Sequence, residues 1–149
     1  MPKNKAFTLL ELIIVLIIIG VLATLGFTQY SKVVESTRLA EAKTMIGSMR
    51  QLATEYYWKN GSLAGIQNSD LGVNNTCSSS NYYRYSQGWT NPTTCLHLVA
   101  RRCTSGGKTP NASRAYDFLL RKYCPGTGQG KWSCYYLDDL SACFGLPSY

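Results

Sequence analysis

The chain has 149 residues and a formal net charge of +7, and it contains six cysteines but one histidine. This length predicts one folded domain rather than several. A positive balance of this size permits binding to DNA or to an anionic host surface, but no dense basic run supports either partner, so we expect a generally basic, solvated surface.

The composition argues against an enzyme. The sequence holds no P-loop, nucleophile elbow or dinucleotide fingerprint, and its one histidine is His97. No two cysteines have the short spacing of a zinc site. Asp138 and Asp139 are adjacent, so they point to different sides of a strand and are poorly placed for joint acid–base work. We predict a protein without catalytic residues, metal or cofactor.

The N-terminus combines a short basic leader with a long apolar segment. Residues 1–6 include Lys3 and Lys5, and between Lys5 and Lys32 the only charged side chain is Glu11. An apolar stretch of this length can cross a bilayer as a helix, and the leader lysines are expected to stay on the cytoplasmic side. A carboxylate at the bilayer midplane would cost about 2.5–3.5 kcal/mol on insertion scales, and acids are rare in such spans, so Glu11, near the start of the stretch, is a candidate functional residue.

This segment resembles the N-terminus of type IV pilins and of their type II secretion pseudopilin relatives. The shared pattern is a basic leader, a small residue, Phe-Thr-Leu-(Ile/Leu)-Glu and an apolar run, and here it reads A-FTLLE over Ala6 to Glu11. The resemblance covers residues 3–30 closely and the helix to about Gly61 loosely. It implies cleavage between Ala6 and Phe7, N-methylation of the Phe7 amine, and a contact in assembly between Glu11 and the Phe7 amine of an adjoining subunit.

Two positions depart from the family pattern. The family usually has glycine before the cleavage point, where this chain has Ala6, and most members carry a proline where this chain has Thr28. Gly20 and Gly26 flank that region. Because glycine inside a helix costs about 0.5–1 kcal/mol relative to alanine, we expect the stretch from Gly20 to Thr28 to act as a soft point in the helix.

The absence of proline from Phe7 to Asn60 predicts one continuous helix, apolar all round to about Tyr30 and amphipathic over residues 31–60. Asn60 and Gly61 predict its end. We expect one stripe of the second half to pack on the C-terminal part of the same chain. The residues of that stripe are Tyr30, Val33, Val34, Thr37, Met45, Met49, Leu52, Ala53 and Tyr56.

Residues 61–149 are predicted to form a small head. Residues 61–80 are rich in Gly, Ser and Asn and predict a loop that wraps the helix. Ala115–Tyr123 is ambiguous, and we interpret it as a short helix capped by Ser113. Three runs are typical of an antiparallel sheet, namely Tyr82–Tyr85, Cys95–Arg101 and Trp132–Leu137.

All six cysteines lie in this head, and an even number confined to the polar half predicts three disulfides formed in an oxidising compartment. They are Cys77, Cys95, Cys103, Cys124, Cys134 and Cys143. Six cysteines allow about 15 pairings. Sequence proximity alone favours Cys77–Cys95, Cys103–Cys124 and Cys134–Cys143.

Three triplets in the sequence match the acceptor pattern for N-glycosylation. They are Asn60-Gly61-Ser62, Asn74-Asn75-Thr76 and Asn111-Ala112-Ser113. The pattern is common by chance in sequence rich in Asn and Ser, so it is a weak indication by itself.

The resemblance implies an α+β fold of the type IV pilin kind. A long N-terminal helix, transmembrane in its first half, would pack on a small antiparallel sheet with disulfide-braced loops. The predicted organisation is a cleaved leader (1–6), a transmembrane and polymerising half-helix (7–30), an amphipathic half-helix (31–60) and a disulfide-rich globular head (61–149).

The implied function is that of a structural subunit of a type IV pilus-like surface filament, or fimbrium. Its precursor would lie in the inner membrane with the head outside the cytoplasm, and its partners would be copies of itself, a prepilin peptidase and the pilus assembly machinery. Two alternatives stay open, a type II secretion pseudopilin and a monomeric membrane-anchored binding domain. The large disulfide-rich head and the lack of an obvious calcium-ligand cluster favour the pilus.

Overall fold

The computed structural model describes residues 8–88, 94–110, 112, 116–127 and 129–136. Within these ranges the elements in chain order are helix α1 (Leu9–Asn60) and strands β1 (Tyr83–Gln87), β2 (Leu96–Arg102), β3 (Tyr116–Cys124) and β4 (Gln129–Tyr136). The chain divides into two compact units, Met1–Thr37 and Arg38–Tyr149. The predicted α+β class, with a long N-terminal helix and a small antiparallel sheet, is confirmed.

Helix α1 ends where the sequence predicts. Its last residue is Asn60, and Gly61 takes a φ of 70°, the left-handed conformation that glycine adopts at little cost. The Gly61 amide donates to the Tyr57 carbonyl at 2.7 Å, and the Asn60 side-chain amide donates to the Tyr56 carbonyl at 2.9 Å. These bonds satisfy two carbonyls that the end of a helix leaves without partners.

One face of α1 forms part of the core of the unit Arg38–Tyr149. Its five residues recur at alternating three- and four-residue steps and are at most 4% exposed; they are Leu39, Ala42, Ile46, Met49 and Ala53. The predicted stripe was right for Met49, Leu52, Ala53 and Tyr56, which are buried or packed against the core. It was wrong for Tyr30, Val33 and Met45, which are 68%, 62% and 37% exposed. For Met45 the reason is that the inward face runs through the small residue Ala42 rather than through the bulkiest side chains.

The sheet is an antiparallel meander with the strand order β1-β2-β3-β4. Alternate residues point into the core, as the two-residue period of a strand requires. The buried set comprises Tyr83, Tyr85, Leu96, Leu98, Ala100, Phe118, Leu120 and Cys134. Three of the four strands lie close to the predicted runs, each displaced by one to three residues at its ends.

The remaining strand, β3, was not predicted. The segment Ala115–Tyr123 was interpreted as a short helix, and its described residues form a strand instead. β3 pairs with β2 on one side and β4 on the other, and this pairing overrides the local helical preference. Lys122 has a φ of 48° at a register shift in the β3–β4 ladder, so the two-residue period is interrupted there. Ser113, the predicted cap, lies outside the described residues.

β3 also carries a buried acid that is paired across the sheet. Asp117 is 7% exposed, and its two carboxylate oxygens accept hydrogen bonds from Arg101 Nε and Nη2, both at 2.6 Å. The hydrogen bond to the Asp117 side chain raises the pKa of the Arg101 guanidinium above its usual value. The pair therefore ties β2 to β3 with a two-pronged, charge-assisted contact.

Among the residues that the structure describes, two disulfides join Cys77 to Cys103 and Cys95 to Cys124. The pairing expected from sequence proximity is therefore wrong for these four cysteines. The reason is the antiparallel register, which places Leu96 opposite Tyr123 and so brings the start of β2 to the end of β3. Cys134 is buried, and because Cys143 lies outside the described residues, the predicted Cys134–Cys143 bridge stays a prediction.

Tyr85 gives the fold a testable pH dependence. It is 3% exposed, and its hydroxyl donates to Glu41 Oε1 at 3.5 Å. Burial, and then the negative charge of Glu41, raise the pKa of Tyr85 well above its usual range. Below pH 10 both the folded and the unfolded chain keep this proton, whereas above pH 10 the unfolded chain loses it first, so stability falls as pH rises.

We therefore expect Tyr85→Phe to flatten the loss of unfolding free energy between pH 10 and 12. The difference in slope is at most one proton, about 1.4 kcal/mol per pH unit. Chemical denaturation of the detergent-solubilised protein at several pH values measures it. Parallel curves for the wild type and Tyr85→Phe above pH 10 would show that Tyr85 ionises equally in both states.

Candidate assembly segment at the N-terminus

The first half of α1 presents an apolar surface on every side. Leu9–Phe27, 19 residues with a mean hydropathy of 2.8, is long and apolar enough to cross a membrane, and none of it is buried within the chain. Leu16 is 68% exposed and Phe27 78%. Soluble monomers rarely expose contiguous apolar patches above a few hundred Å², and larger ones mark contact with membranes or with other protein chains.

α1 begins with a capping box at Thr8 and Glu11. The Thr8 hydroxyl accepts a hydrogen bond from the Glu11 amide at 3.3 Å, and Glu11 Oε2 accepts one from the Thr8 amide at 2.9 Å. The Thr8 hydroxyl also donates to the same Oε2 at 3.0 Å. Thr8 is thus the N-cap and Glu11 the third helical residue of the T-x-x-E motif.

Sequence reasoning named Glu11 and missed Thr8. The T-x-x-E spacing could have identified Thr8, because this motif before an apolar run is typical of a helix N-terminus. The charge of Glu11 marked it in the sequence, whereas the structure shows that its carboxylate also accepts from the Thr8 backbone amide at the helix N-terminus. Capping and the proposed pairing with a cation both need a carboxylate in the first turn of α1, where the helix dipole also favours negative charge.

The Glu11 carboxylate keeps one oxygen available. Both contacts from Thr8 reach Oε2, and among the residues that the structure describes Oε1 accepts no hydrogen bond. Glu11 is exposed at the edge of the apolar segment. The residue is therefore held in place by Thr8 and can still receive a second donor or a cation. Ala6 and Phe7 lie outside the described residues, so the cleavage site and the Phe7 amine stay predictions.

The predicted soft point lies inside α1, which continues through Gly20 and Gly26 as helix. A Cβ added at either glycine would meet nothing within 4 Å, so neither glycine is required by packing within the chain. Thr28 lies in the same helix. A soft point in this region stays a prediction.

Comparison with known proteins connects this segment to pili. Residues 1–27 match the family described as a prokaryotic N-terminal methylation motif. The chain is similar to fimbrial protein EcpC of Eikenella corrodens, with 39% identity over 58 residues that cover 39% of this chain and 38% of that protein. It is similar to a fimbrial protein of Neisseria meningitidis serogroup B, with 34% identity over 70 residues that cover 47% and 41%.

A third relative is the type IV major pilin protein PilE of Neisseria gonorrhoeae, with 32% identity over 75 residues, 50% of this chain and 44% of that protein. The chain thus spans less than half the length of these curated relatives. No solved structure matches it. The methylation motif, the pilin and fimbrial relatives and the exposed apolar helix agree, and the N-terminal segment of the chain is similar to that of type IV pilins.

Proposed function

We propose that this chain is a structural, non-enzymatic subunit of a type IV pilus-like filament that assembles through the first half of α1. One observation carries the proposal. The first 19 residues of α1 are apolar apart from Glu11, are buried nowhere within the chain, and start with a capping box that holds the Glu11 carboxylate. Lipid would cover this apolar surface in the precursor, and neighbouring helices would cover it in the polymer.

The N-terminal sequence supports a processing step before assembly. The leader would be removed between Ala6 and Phe7, and the new Phe7 amine would be N-methylated, as in the family that the motif defines. The mature chain would keep its apolar helix as a membrane anchor until it enters the filament. The same four-part organisation is proposed, with a leader (1–6), a polymerising half-helix (7–30), an amphipathic half-helix (31–60) and a head (61–149).

The chemistry of assembly follows from the carboxylate at the helix start. A desolvated acid is stabilised most by a cation that arrives as water leaves. Thr8 already donates two hydrogen bonds to Glu11 Oε2, so a neighbour's Phe7 ammonium would meet Oε1 with the side chain held in position. A pair formed in this way would fix the axial register of one subunit on the next, while the stretch from Gly20 to Thr28 would let the helix adjust locally.

Processing gives the first test of this proposal. We expect the mature protein to begin at Phe7 with one added methyl group on its amine. Ala6→Gly should be cleaved at least as efficiently as the wild type, whereas Ala6→Leu should leave most of the protein unprocessed, because a bulky side chain does not fit where the family has glycine. Intact-mass spectrometry of the membrane fraction checks both variants, and a mature protein that retains Met1 would contradict the proposal.

The alternatives differ in phenotype rather than in fold. If the chain is a pseudopilin, cells that lack it would lose protein secretion but keep their surface filaments. If it is a monomeric membrane-anchored binding domain, they would keep both. The fimbrial and pilin names of the relatives favour the pilus. Electron microscopy of cells that lack the chain, with a secretion assay on the same cells, separates the three.

A further inference from the structure

The glycosylation triplets of the sequence occupy different structural settings. Asn60 is the last residue of α1, and Ser62 follows the helix stop at Gly61. Asn74, Asn75 and Thr76 are exposed and lie in the loop before β1. The third triplet, at residues 111–113, lies mostly outside the described residues. The structure therefore permits a comparison of the first two.

The triplet at Asn60 is engaged in ending the helix. The Asn60 Nδ2 atom, which a glycan would have to join, donates to the Tyr56 carbonyl at 2.9 Å. The Ser62 hydroxyl accepts a hydrogen bond from the Ala64 amide at 3.0 Å. Modification here would place a sugar on a nitrogen that already takes part in the helix end, next to a hydroxyl that is already engaged. This triplet is therefore a poor acceptor in the folded chain.

The triplet at Asn74 is presented without such contacts. Its backbone is held, since the Asn74 carbonyl accepts from the Tyr85 amide at 3.4 Å and the Thr76 carbonyl accepts from Asn81 Nδ2 at 3.3 Å. Within the part of the chain that the structure describes, the side chains of Asn74 and Thr76 make no hydrogen bond. Both groups that the modification needs, an amide nitrogen and a hydroxyl two residues later, are free.

The segment is also fixed at both ends. Val73 is 8% exposed and belongs to the core, and Cys77 is joined to Cys103. Only the three residues between these anchors protrude into solvent. A large group attached at Asn74 would therefore displace no core side chain and would break no hydrogen bond of the described residues.

We propose that Asn74 is a site of N-glycosylation, with an oligosaccharide linked through a diphosphate to a membrane lipid as the donor. The Asn74 Nδ2 atom would form a bond to the anomeric carbon of the first sugar, the bond from that carbon to the phosphate oxygen would break, and the amide proton would pass to a base of the transferring enzyme as the lipid diphosphate leaves. The inference rests on the proposed function, because it requires the head to lie outside the cytoplasm.

The experiment uses the full chain, purified from membranes of its own cells, and compares five proteins by intact mass and by glycopeptide fragmentation. Asn74→Gln and Thr76→Ala destroy the triplet, whereas Thr76→Ser preserves it. Asn60→Gln removes the competing triplet. Trypsin cleaves after Lys59 and Arg84, so both asparagines fall in one peptide, and fragmentation after reduction has to assign the site.

We expect the wild type, Thr76→Ser and Asn60→Gln to carry the added mass of an oligosaccharide, and Asn74→Gln and Thr76→Ala to lose it completely. An unmodified Asn74 in the wild type, or a glycan that disappears with Asn60→Gln, would overturn the proposal. Thiol labelling of the same sample distinguishes a failure of the glycosylation proposal from a failure of the proposed location of the head. Oxidised Cys77 and Cys103 with an unmodified Asn74 refute the glycosylation alone, whereas reactive thiols at both positions also refute the location of the head outside the cytoplasm.

Discussion

Replacing Glu11 with leucine is expected to abolish filament assembly while leaving membrane insertion intact. The substitution removes the carboxylate that would meet the Phe7 amine of a neighbouring subunit, and it makes the span more apolar, so insertion should not suffer. Subunit levels in the membrane should therefore stay normal or rise. Immunoblots of membrane fractions and electron microscopy of surface filaments measure the two effects on the same cells.

Thr8→Val is the matched comparison, because it removes the hydroxyl contacts to Glu11 and leaves the carboxylate and the Thr8 backbone amide bond in place. Loss of an N-cap costs typically about 1 kcal/mol, so we expect fewer filaments but not their absence. Equal loss in Thr8→Val and Glu11→Leu would mean that Glu11 acts only as a helix cap. Normal filaments in Glu11→Leu at normal subunit levels would remove Glu11 from assembly altogether.

The second large effect is expected from the disulfides of the C-terminal unit. The bridges Cys77–Cys103 and Cys95–Cys124 close loops with sequence separations of 26 and 29 residues, which corresponds to about 3.5 kcal/mol each in the chain-entropy description. Removing both would cost a large share of the 5–15 kcal/mol that is typical of a folded domain. We expect a variant with all four cysteines changed to alanine to be degraded rapidly by external protease.

The two bridges can be ranked by removing them one at a time. Cys95–Cys124 connects two strands that already pair, because it lies directly beside the paired residues Leu96 and Tyr123. Cys77–Cys103, in contrast, joins a long loop to the end of β2. We therefore expect loss of Cys77–Cys103 to expose cleavage sites in residues 61–82 first. In every variant the segment Leu9–Phe27 should stay inserted. Wild-type protease resistance in the variant without both bridges would show that the core alone stabilises this unit.

Much of this architecture could be predicted from local sequence. The proline-free apolar run predicted α1, and Gly61 marked its end because glycine takes the left-handed conformation that stops a helix. The alternation of Leu96 and Leu98 with His97 predicted β2, and both leucines are fully buried. These features depend on neighbours close in the chain, and for that reason a single sequence displays them.

The features that were missed depend on residues distant in sequence. β3 is held by ladders on both of its sides, and the disulfide pairing follows from the same register. Arg102 is 1% exposed, and its guanidinium donates to the carbonyls of Tyr82, Cys103 and Thr109. The two-residue period that buries Leu96 and Leu98 also turns Arg102 inward and Arg101 outward. The carbonyls that accept from Arg102 are set by the folded chain, and for that reason the local pattern did not reveal them.

The central claim is that this chain polymerises through its N-terminal helix after processing to a mature chain that begins at Phe7. The most direct measurement is electron microscopy of surface filaments from its own cells, combined with N-terminal sequencing of the filament subunit and with deletion of the chain. We predict filaments whose subunit begins with N-methylated Phe7-Thr8-Leu9-Leu10-Glu11 and which disappear on deletion. A mature protein that stays entirely in the membrane fraction, on cells whose filaments contain no copy of it, would contradict the claim.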